Sequence, residues 1–523
     1  MLWHQHLVNV RRGARHTAGA SKAGSWPLRT LCGATLLALA GCAVGPDFVR
    51  PEPPPVTRYT QGAEPTTTIS ADGQAQHFDQ GAKIAADWWR LFNSTKLDIL
   101  IKEVIAGNQN LQAAQASLRQ SQDNLRAGYG IFFPQLDAGF DVTRQKFSPV
   151  RIGSSSPSSI FNLFTLSATV SYALDVFGGE RRAVESLQAQ VDVQRATVLG
   201  TYIALSGNVV NTIIARAAYR EQIDATEQII GMLSEQVRIT ELQVQAGTVP
   251  YVNVLTLRSQ MAAFQATLPS LRQKFDQTGH LLATLAGRTP AEWAPPQVSM
   301  ADLTLPGDLP ITLPSGLVHQ RPDILAAEAQ LHSAAATIGV ATAALFPSFT
   351  LNGTYGQNNS ALNDLFTGSS NFWSLGANAS APLFHGGTLW FQRQAAIDGY
   401  QQSLATYRQT VLNAFAQVAD TLRAVEHDAE TLKAQSQALS AADESLQIIQ
   451  ANYQAGLVNL LQILIANTLY HQARIGYLQA QAQRFQDTVA LLVALGGGWW
   501  NAEGYVSGSA PVRDRVSLSP ESR

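Results

Sequence analysis

The chain has 523 residues, 46% hydrophobic and only 14% charged, with a formal net charge of -2. That balance excludes the basic face by which nucleic acid is bound. Its two cysteines, Cys32 and Cys42, leave the body of the chain without a disulfide framework or a thiolate metal site. No window is expected to reach the 18 or more apolar residues of a spanning helix, so any membrane crossing is expected to use strands.

Residues 1–41 read as a signal peptide. Arg11, Arg12, Arg15, Lys22 and Arg29 come with no acid, a short apolar core runs from Leu31 to Ala40, and small residues precede Cys42. Leu39-Ala40-Gly41-Cys42 resembles a bacterial lipobox. The resemblance implies cleavage before Cys42, a diacylglycerol on its sulfur and an acylated amine; Ala43 in place of Asp favours the outer membrane. Several acyl chains make a firm tether. No cofactor is expected beyond this covalent lipid on Cys42.

Residues 42–87 are expected to be the lipid anchor and an extended spacer, because Pro46, Pro51, Pro53, Pro54, Pro55 and Pro65 lie among threonines and predict no core. A first structural repeat spans 88–310. Helical periodicity begins at Trp88 and runs through Leu97, Leu100, Ile101, Val104, Leu111, Leu118 and Leu125 to Phe133-Pro134. The period then changes to two: Leu136, Ala138, Phe140 and Val142 alternate with Asp137, Gly139, Asp141 and Thr143. Strands are predicted at about 135–147 and 161–176, each near the length of a tilted bilayer-crossing strand. A long helix at about 180–244 carries Tyr202, Val209, Ile223, Ile230, Val237 and Val244 on a seven-residue period, interrupted by Arg216. A tip at 245–252 and a return helix at 253–286 complete the unit.

A second repeat spans 311–498. Ile324 to Pro347 aligns without gaps on Leu111 to Pro134. Strands are predicted at about 348–357 and 372–382, followed by a long helix at about 388–453. There Leu404, Val411, Val418, Val425, Leu432, Leu439, Leu446 and Tyr453 hold the same seven-residue period, the mark of a coiled-coil seam. A helix of that length reaches about 100 Å and cannot be enclosed in an ordinary globule. The tip at 454–458 repeats the turn of the first, Gln454-Ala455-Gly456 after Gln245-Ala246-Gly247. The return helix at 459–495 stops at Gly496-Gly497-Gly498, and 499–523 is a polar tail.

Four strands with one apolar and one small polar face cannot close by themselves, and an open edge in lipid costs several kcal/mol per unpaired backbone group. Two copies would give eight strands, a barrel filled by its own side chains. Three would give twelve, and the inward Ser, Thr, Asn and Gly favour that water-filled lumen. A soluble β-sandwich on a coiled coil is the alternative, disfavoured by the export signal and the lack of short hairpin turns.

Five segments carry a family resemblance: Asp87-Trp88-Trp89-Arg90-Leu91-Phe92, Tyr172 to Gly178, Arg321-Pro322-Asp323-Ile324, Leu345-Phe346-Pro347-Ser348, and Ala494 to Trp499. In this order the chain resembles the outer-membrane factors of tripartite efflux systems, the TolC-like, OprM/NodT-type lipoproteins. The resemblance implies an α+β membrane protein: a homotrimer with a twelve-stranded barrel in outer-membrane lipid, continued by a periplasmic α-helical barrel. Its partners would be a periplasmic adaptor (membrane fusion) protein and an inner-membrane RND-type transporter. The expected function is passive exit of small toxic compounds or drugs. The rivals are the exit channel of a protein secretion system and a lipid-anchored coiled-coil scaffold without a pore.

By the same resemblance the adaptor-contact tips are Ala246, Gly247, Thr248, Ala455, Gly456 and Leu457. A periplasmic constriction is expected at Asn253, Tyr453, Leu461, Gln462 and Ile465. Relatives often carry carboxylates at the positions of Asn253, Gln462 and Ile465, and some carry arginine at Thr468. An apolar gate that resists wetting is therefore expected rather than salt-bridge gating. No enzyme is expected: His319, His332, His385, His427 and His471 lack metal-ligand spacing or a paired nucleophile.

Overall fold

A computed structural model describes residues 43–62, 65–148, 153, 155 and 157–501. The expected signal peptide, Cys42 and residues 502–523 lie outside the described residues. In chain order the elements are β1 (His77–Gln80), a 3-10 turn Trp88–Phe92, α1 (Thr95–Gly107), α2 (Gln109–Gly128), β2 (Gln135–Phe147), β3 (Ser159–Leu174), α3 (Gly179–Gln245), α4 (Val252–Gln265) and α5 (Leu268–Leu285). Then follow β4 (Asp308–Ile311), the single turn α6 (Pro314–Leu317), α7 (Pro322–Ala343), β5 (Ser348–Asn359), β6 (Asn371–Ser380), α8 (Thr388–Gln454) and α9 (Leu460–Ala494).

The long helices α3 and α8 are each 67 residues. Both start at a left-handed glycine, Gly178 and Gly387. Their seven-residue seams are largely inside: Val209, Ile223 and Val237 on α3, and Val411, Val418, Val425, Leu432 and Leu446 on α8, are buried. Arg216, which breaks the first seam, lies over the Phe275 ring at 3.7 Å and donates to the Phe275 carbonyl at 2.7 Å. A guanidinium stacked and hydrogen-bonded in this way is accommodated in an otherwise apolar seam. Against the expectation that no window is apolar enough to span a bilayer, one window of α3 is so by length and composition, and half of it is buried. Much of α3's apolar surface, including Val209, Val210, Ile213 and Ile214, belongs to the central core instead.

The return helices differ. α9 runs unbroken for 35 residues. The single return helix expected at 253–286 is two helices, with Pro269 in the first turn of α5. Proline lacks an N–H and its ring crowds the carbonyl four residues back. The backbone tightens there, and Thr267 N–H donates to the Phe264 carbonyl at 3.0 Å.

The four long strands form one antiparallel sheet in the order β2-β3-β5-β6, so the two repeats meet at β3 and β5. β2 and β6 are its edges. Both faces of β2 are exposed, and Leu136, Trp373 and Leu375 stand in the open. On the polar side Thr169 and Thr354 hydroxyls meet at 3.3 Å. A sheet with one exposed apolar face and two free edges is not a finished soluble domain.

The core lies at mid-height. Trp88, Phe92, Leu97, Val209, Ile213, Leu309, Ile324, Val418, Val489 and Leu492 belong to one buried cluster that draws on both repeats. The segment expected to be a coreless spacer is part of it. β1 pairs in parallel with β4, and Phe78 and Ile84 are buried. Gln76 is wholly buried, donating to Thr488 Oγ1 at 3.1 Å and to the Pro306 carbonyl at 3.2 Å. Nearer its start, Val44 N–H donates to the Phe177 carbonyl at 3.0 Å, and Asp47 accepts from Arg182 at 2.6 Å. Prolines keep such a stretch extended without preventing its polar groups from finding buried partners. At the far end, Gly496, Gly497 and Gly498 all have positive φ (94°, 63° and 67°), which glycine alone adopts without strain. This turn carries Trp499–Asn501 back into the core, where Trp499 Nε1 donates to the Gln320 carbonyl at 2.8 Å. The first residues of the expected polar tail are thus packed.

Candidate functional site at the helical tips

Both hairpins turn by the same device. After α3, Gly247 N–H donates to the Val244 carbonyl and Thr248 N–H to the Gln243 carbonyl, each at 2.9 Å. After α8, Gly456 N–H donates to the Tyr453 carbonyl at 3.0 Å and Leu457 N–H to the Asn452 carbonyl at 2.8 Å. These paired bonds are the Schellman arrangement, which needs a left-handed residue. Gly247 and Gly456 both have φ 72°. Nothing lies within 4 Å of where a Cβ would stand on either. Glycine is required here by the backbone, not by crowding. Ala246, Gly247 and Thr248, and Ala455, Gly456 and Leu457, are all exposed and form two surface tips.

The helices leaving the tips start differently. Asn459 caps α9, its side chain accepting from Gln462 N–H at 3.2 Å. α4 has no side-chain cap, and at its start Asn253 N–H donates to the Pro250 carbonyl at 3.1 Å.

The five residues expected at a constriction fall into two groups. Leu461, Gln462 and Ile465 are exposed on the subunit, whereas Asn253 and Tyr453 are half-buried. Leu461 (62% exposed), Ile465 (50%) and Leu469 (53%) recur every four residues and make an apolar stripe on α9. They do not pack in the helix seam of their own chain; Ile463, Ala466 and Asn467 do.

Beneath the stripe lies a polar tie that the sequence reading did not find. Gln260 of α4 donates to Thr468 Oγ1 at 2.7 Å and to the Leu464 carbonyl at 3.0 Å. Asn467, fully buried, donates to Gln236 Oε1 of α3 at 3.3 Å. Ion pairs on the outside, such as Arg258 with Glu241 at 2.6 Å, join α4 to α3. The signal was present as amides at buried positions of a coiled coil, which fix register at some cost in stability. Among the described residues no group of three or more His, Cys, Asp or Glu is placed to hold a metal ion.

An amphipathic antiparallel sheet standing on two helical hairpins about 100 Å long is the architecture of a bacterial outer-membrane channel subunit. Comparison with known proteins gives the family. The model of the outer membrane efflux protein family matches residues 100–288 and 313–497, and the chain belongs to that family. It is 31% identical over 442 residues to the pyoverdine export outer membrane protein OpmQ of Pseudomonas aeruginosa, covering 82% of this chain and 92% of that protein. It is 27% identical to the cation efflux system protein CusC of Escherichia coli, covering 90% and 99%. Among solved structures, the outer-membrane channel OprN superposes with a TM-score of 0.78 at 26% identity, covering 88% of this chain and all of that one. The Campylobacter jejuni CmeC outer membrane channel shares the fold, with a TM-score of 0.79 at 20% identity and coverage of 87% and 95%.

Proposed function

We propose that the chain is the outer-membrane channel of a tripartite efflux pump, through which small toxic compounds leave the cell passively. The observation that carries this reading is an amphipathic sheet with two free edges, β2 and β6, borne on the long hairpins of an efflux-family subunit. Closing those edges requires other copies, since an isolated four-stranded sheet cannot sit in lipid. Three copies give twelve strands and a lumen wide enough for water. The relatives export pyoverdine and cations, so the family alone does not fix the cargo.

The tips at Gly247 and Gly456 are the surfaces offered to a periplasmic adaptor, which in turn joins an inner-membrane transporter of the RND type. Leu461, Gln462 and Ile465, brought together by three copies, form the constriction. Their side chains are apolar or neutral, which suits closure by loss of water from the passage. Cys42 carries the lipid. In support, the adjoining Ala43 and Val44 lie at the junction of β3 and α3 beside Phe177 and Gly178, where the sheet gives way to helices and the bilayer surface would fall.

Protein extracted from outer membranes and placed in planar bilayers is expected to conduct ions, and a deletion strain is expected to gain susceptibility to drugs that the gene restores. A preparation that inserts without conducting would identify a scaffold. Labelling by palmitate is expected for the native chain and absent from Cys42→Ala.

A further inference from the structure

One cavity at mid-height belongs neither to the tips nor to the sheet. It has a volume of about 420 Å³ and lies where the turn 71–74 meets α3, α9 and the chain before β4. The turn is built locally. Ala71 and Gln74 exchange backbone bonds at 3.0 Å, and Asp72 and Gly73 between them have φ of 50° and 77°. Two left-handed residues in an Asp-Gly pair make the tight turn that reverses an extended segment. The Arg484 guanidinium donates to the carbonyls of Ala71 and Gln74, and the Tyr477 hydroxyl donates to Asp72 Oδ2 at 2.9 Å. Two side chains of α9 therefore fix the lip of the cavity.

Two charges on the wall are left without each other. Arg474 of α9 and Glu221 of α3 both line the cavity. Arg484 is taken up by amide and carbonyl acceptors. Arg474, by contrast, has no hydrogen bond or salt bridge among the described residues, and its guanidinium stands 5.9 Å from the centre of the Tyr477 ring. Glu221 enters no salt bridge among them either, although Arg474 is near enough to attract it. Burial holds the Glu221 carboxyl above the ordinary range, against that attraction. Met300, Leu303 and Phe485 supply an apolar part of the same wall.

A guanidinium and a carboxylate that share one hollow without closing on each other call for a ligand with both charges. A lone anion would satisfy Arg474 and be repelled by Glu221; a lone cation would do the reverse. The side on which the hollow lies follows from helix geometry. Successive residues of an α-helix turn by about 100°, which sets Arg474 and Gln481 on the side of α9 away from Leu461, Ile465 and Leu469. With that stripe turned to the passage, the cavity faces outward and is filled from outside the tube.

We propose that this cavity binds a small zwitterion, a free amino acid or short peptide with an apolar side chain, whose carboxylate pairs with Arg474 and whose ammonium pairs with Glu221. Each pairing is a charge-assisted hydrogen bond in a partly desolvated place, the strong kind. The apolar side chain lies toward Met300 and Phe485. A bound ligand joins α3 to α9 beneath the turn 71–74, so occupancy stabilises the folded chain at that level.

The experiment uses the full chain purified in detergent from outer membranes, with L-leucine and L-alanyl-L-leucine as probes in titration calorimetry. Saturable binding of at least one probe with Kd below about 1 mM is expected, with slower hydrogen exchange at residues 71–74. Arg474→Gln and Glu221→Gln are each expected to weaken binding roughly tenfold or more, since each removes a charge-assisted bond. Acetylating the amine of the probe or amidating its carboxylate is expected to do the same on the native chain, so the result does not depend on a variant folding. Arg408→Gln, elsewhere on α8, is expected to bind as the native chain does. Folded native protein without saturable binding would overturn the site. So would binding that both variants and both blocked probes leave unchanged. Conductance is not the readout, so either result is independent of the channel proposal.

Discussion

The Arg484 guanidinium donates through Nε to Gln76 Oε1 at 3.1 Å, joining residues 408 positions apart in the chain. It also reaches the Gln74 carbonyl at 3.2 Å, the Ala71 carbonyl at 3.4 Å and Thr68 Oγ1 at 3.5 Å. One buried side chain of α9 thus satisfies much of the polar surface that the segment before β1 carries inward. Replacing Arg484 with Met leaves these acceptors unpaired, and buried unpaired groups cost roughly 1–3 kcal/mol each before relaxation. Arg484→Met is expected to lose about 2–4 kcal/mol in denaturant unfolding and to open residues 67–80 to protease. Arg484→Lys is expected not to restore the native value, because an ammonium lacks the planar fork.

A second expectation concerns pH. Asp428 on α8 faces the Asp487 carboxyl on α9, and its Oδ2 is buried without a hydrogen-bond partner. Burial first, then the neighbouring Asp487 carboxyl, push the Asp428 carboxyl up to about 7, against the opposing pull of Arg484. The folded chain therefore holds a proton that the unfolded chain has released. Its contribution is full below the ordinary carboxylate range, falls as pH rises towards about 7, and is flat above that. Asp428→Asn is expected to remove this slope and to be more stable than the native chain at pH 8. After screening of a half-exposed group the gain is about 1–2 kcal/mol. Thermal melting across pH 4–9 checks it, and an unchanged slope would count against the pair.

The tip glycines give a local prediction. With φ at 72°, Gly247→Ala and Gly456→Ala each force a left-handed alanine, at a cost of about 1 kcal/mol. The open space around both sites means no clash adds to this. Hydrogen exchange is expected to quicken at residues 245–252 and 454–458 while the mid-height core keeps its protection. Recovery of the adaptor with the channel should fall in the double variant.

The apolar stripe predicts conductance. Leu461→Ala and Ile465→Ala shorten exposed side chains that their own subunit does not bury, so each is expected to change folding stability by less than about 0.5 kcal/mol. Single-channel recordings are expected to show larger or longer openings. Ile465→Asp is expected to give the strongest effect, since a charge wets a hydrophobic constriction. Native-like openings in all three would remove the stripe from the gate.

The long helices and the strands were legible because their signals are periodic and local. Val411, Val418 and Val425 repeat every seven residues, and Leu136, Ala138 and Phe140 every two, so each element announces which face is apolar. The tips were legible from Gln-Ala-Gly, since a glycine after a long helix ends it. The packing of residues 43–87 was not. Its anchors are polar, Thr68, Gln76 and Asp47, and their partners Arg484, Thr488 and Arg182 are remote in sequence. The break at Pro269 was hidden because Leu268 and Leu271 continue the apolar period across it. At the site, exposure separated Leu461, Gln462 and Ile465 from Asn253 and Tyr453. The tie of Gln260 to Thr468 depends on two helices crossing at one depth, which no single stretch of sequence encodes.

The stretch from Val44 to Ile84 is fastened at both ends, by Phe177 and Arg182 at the foot of the sheet and by Asn501 at mid-height, whose amide donates to the Ile84 carbonyl at 2.7 Å. It therefore works as a ruler. Its contour is spent between fixed marks, so the girdle of packed residues hangs at one set depth beneath the strands. Residues added to the ruler would bulge outward as slack, and residues removed would tear one of its moorings.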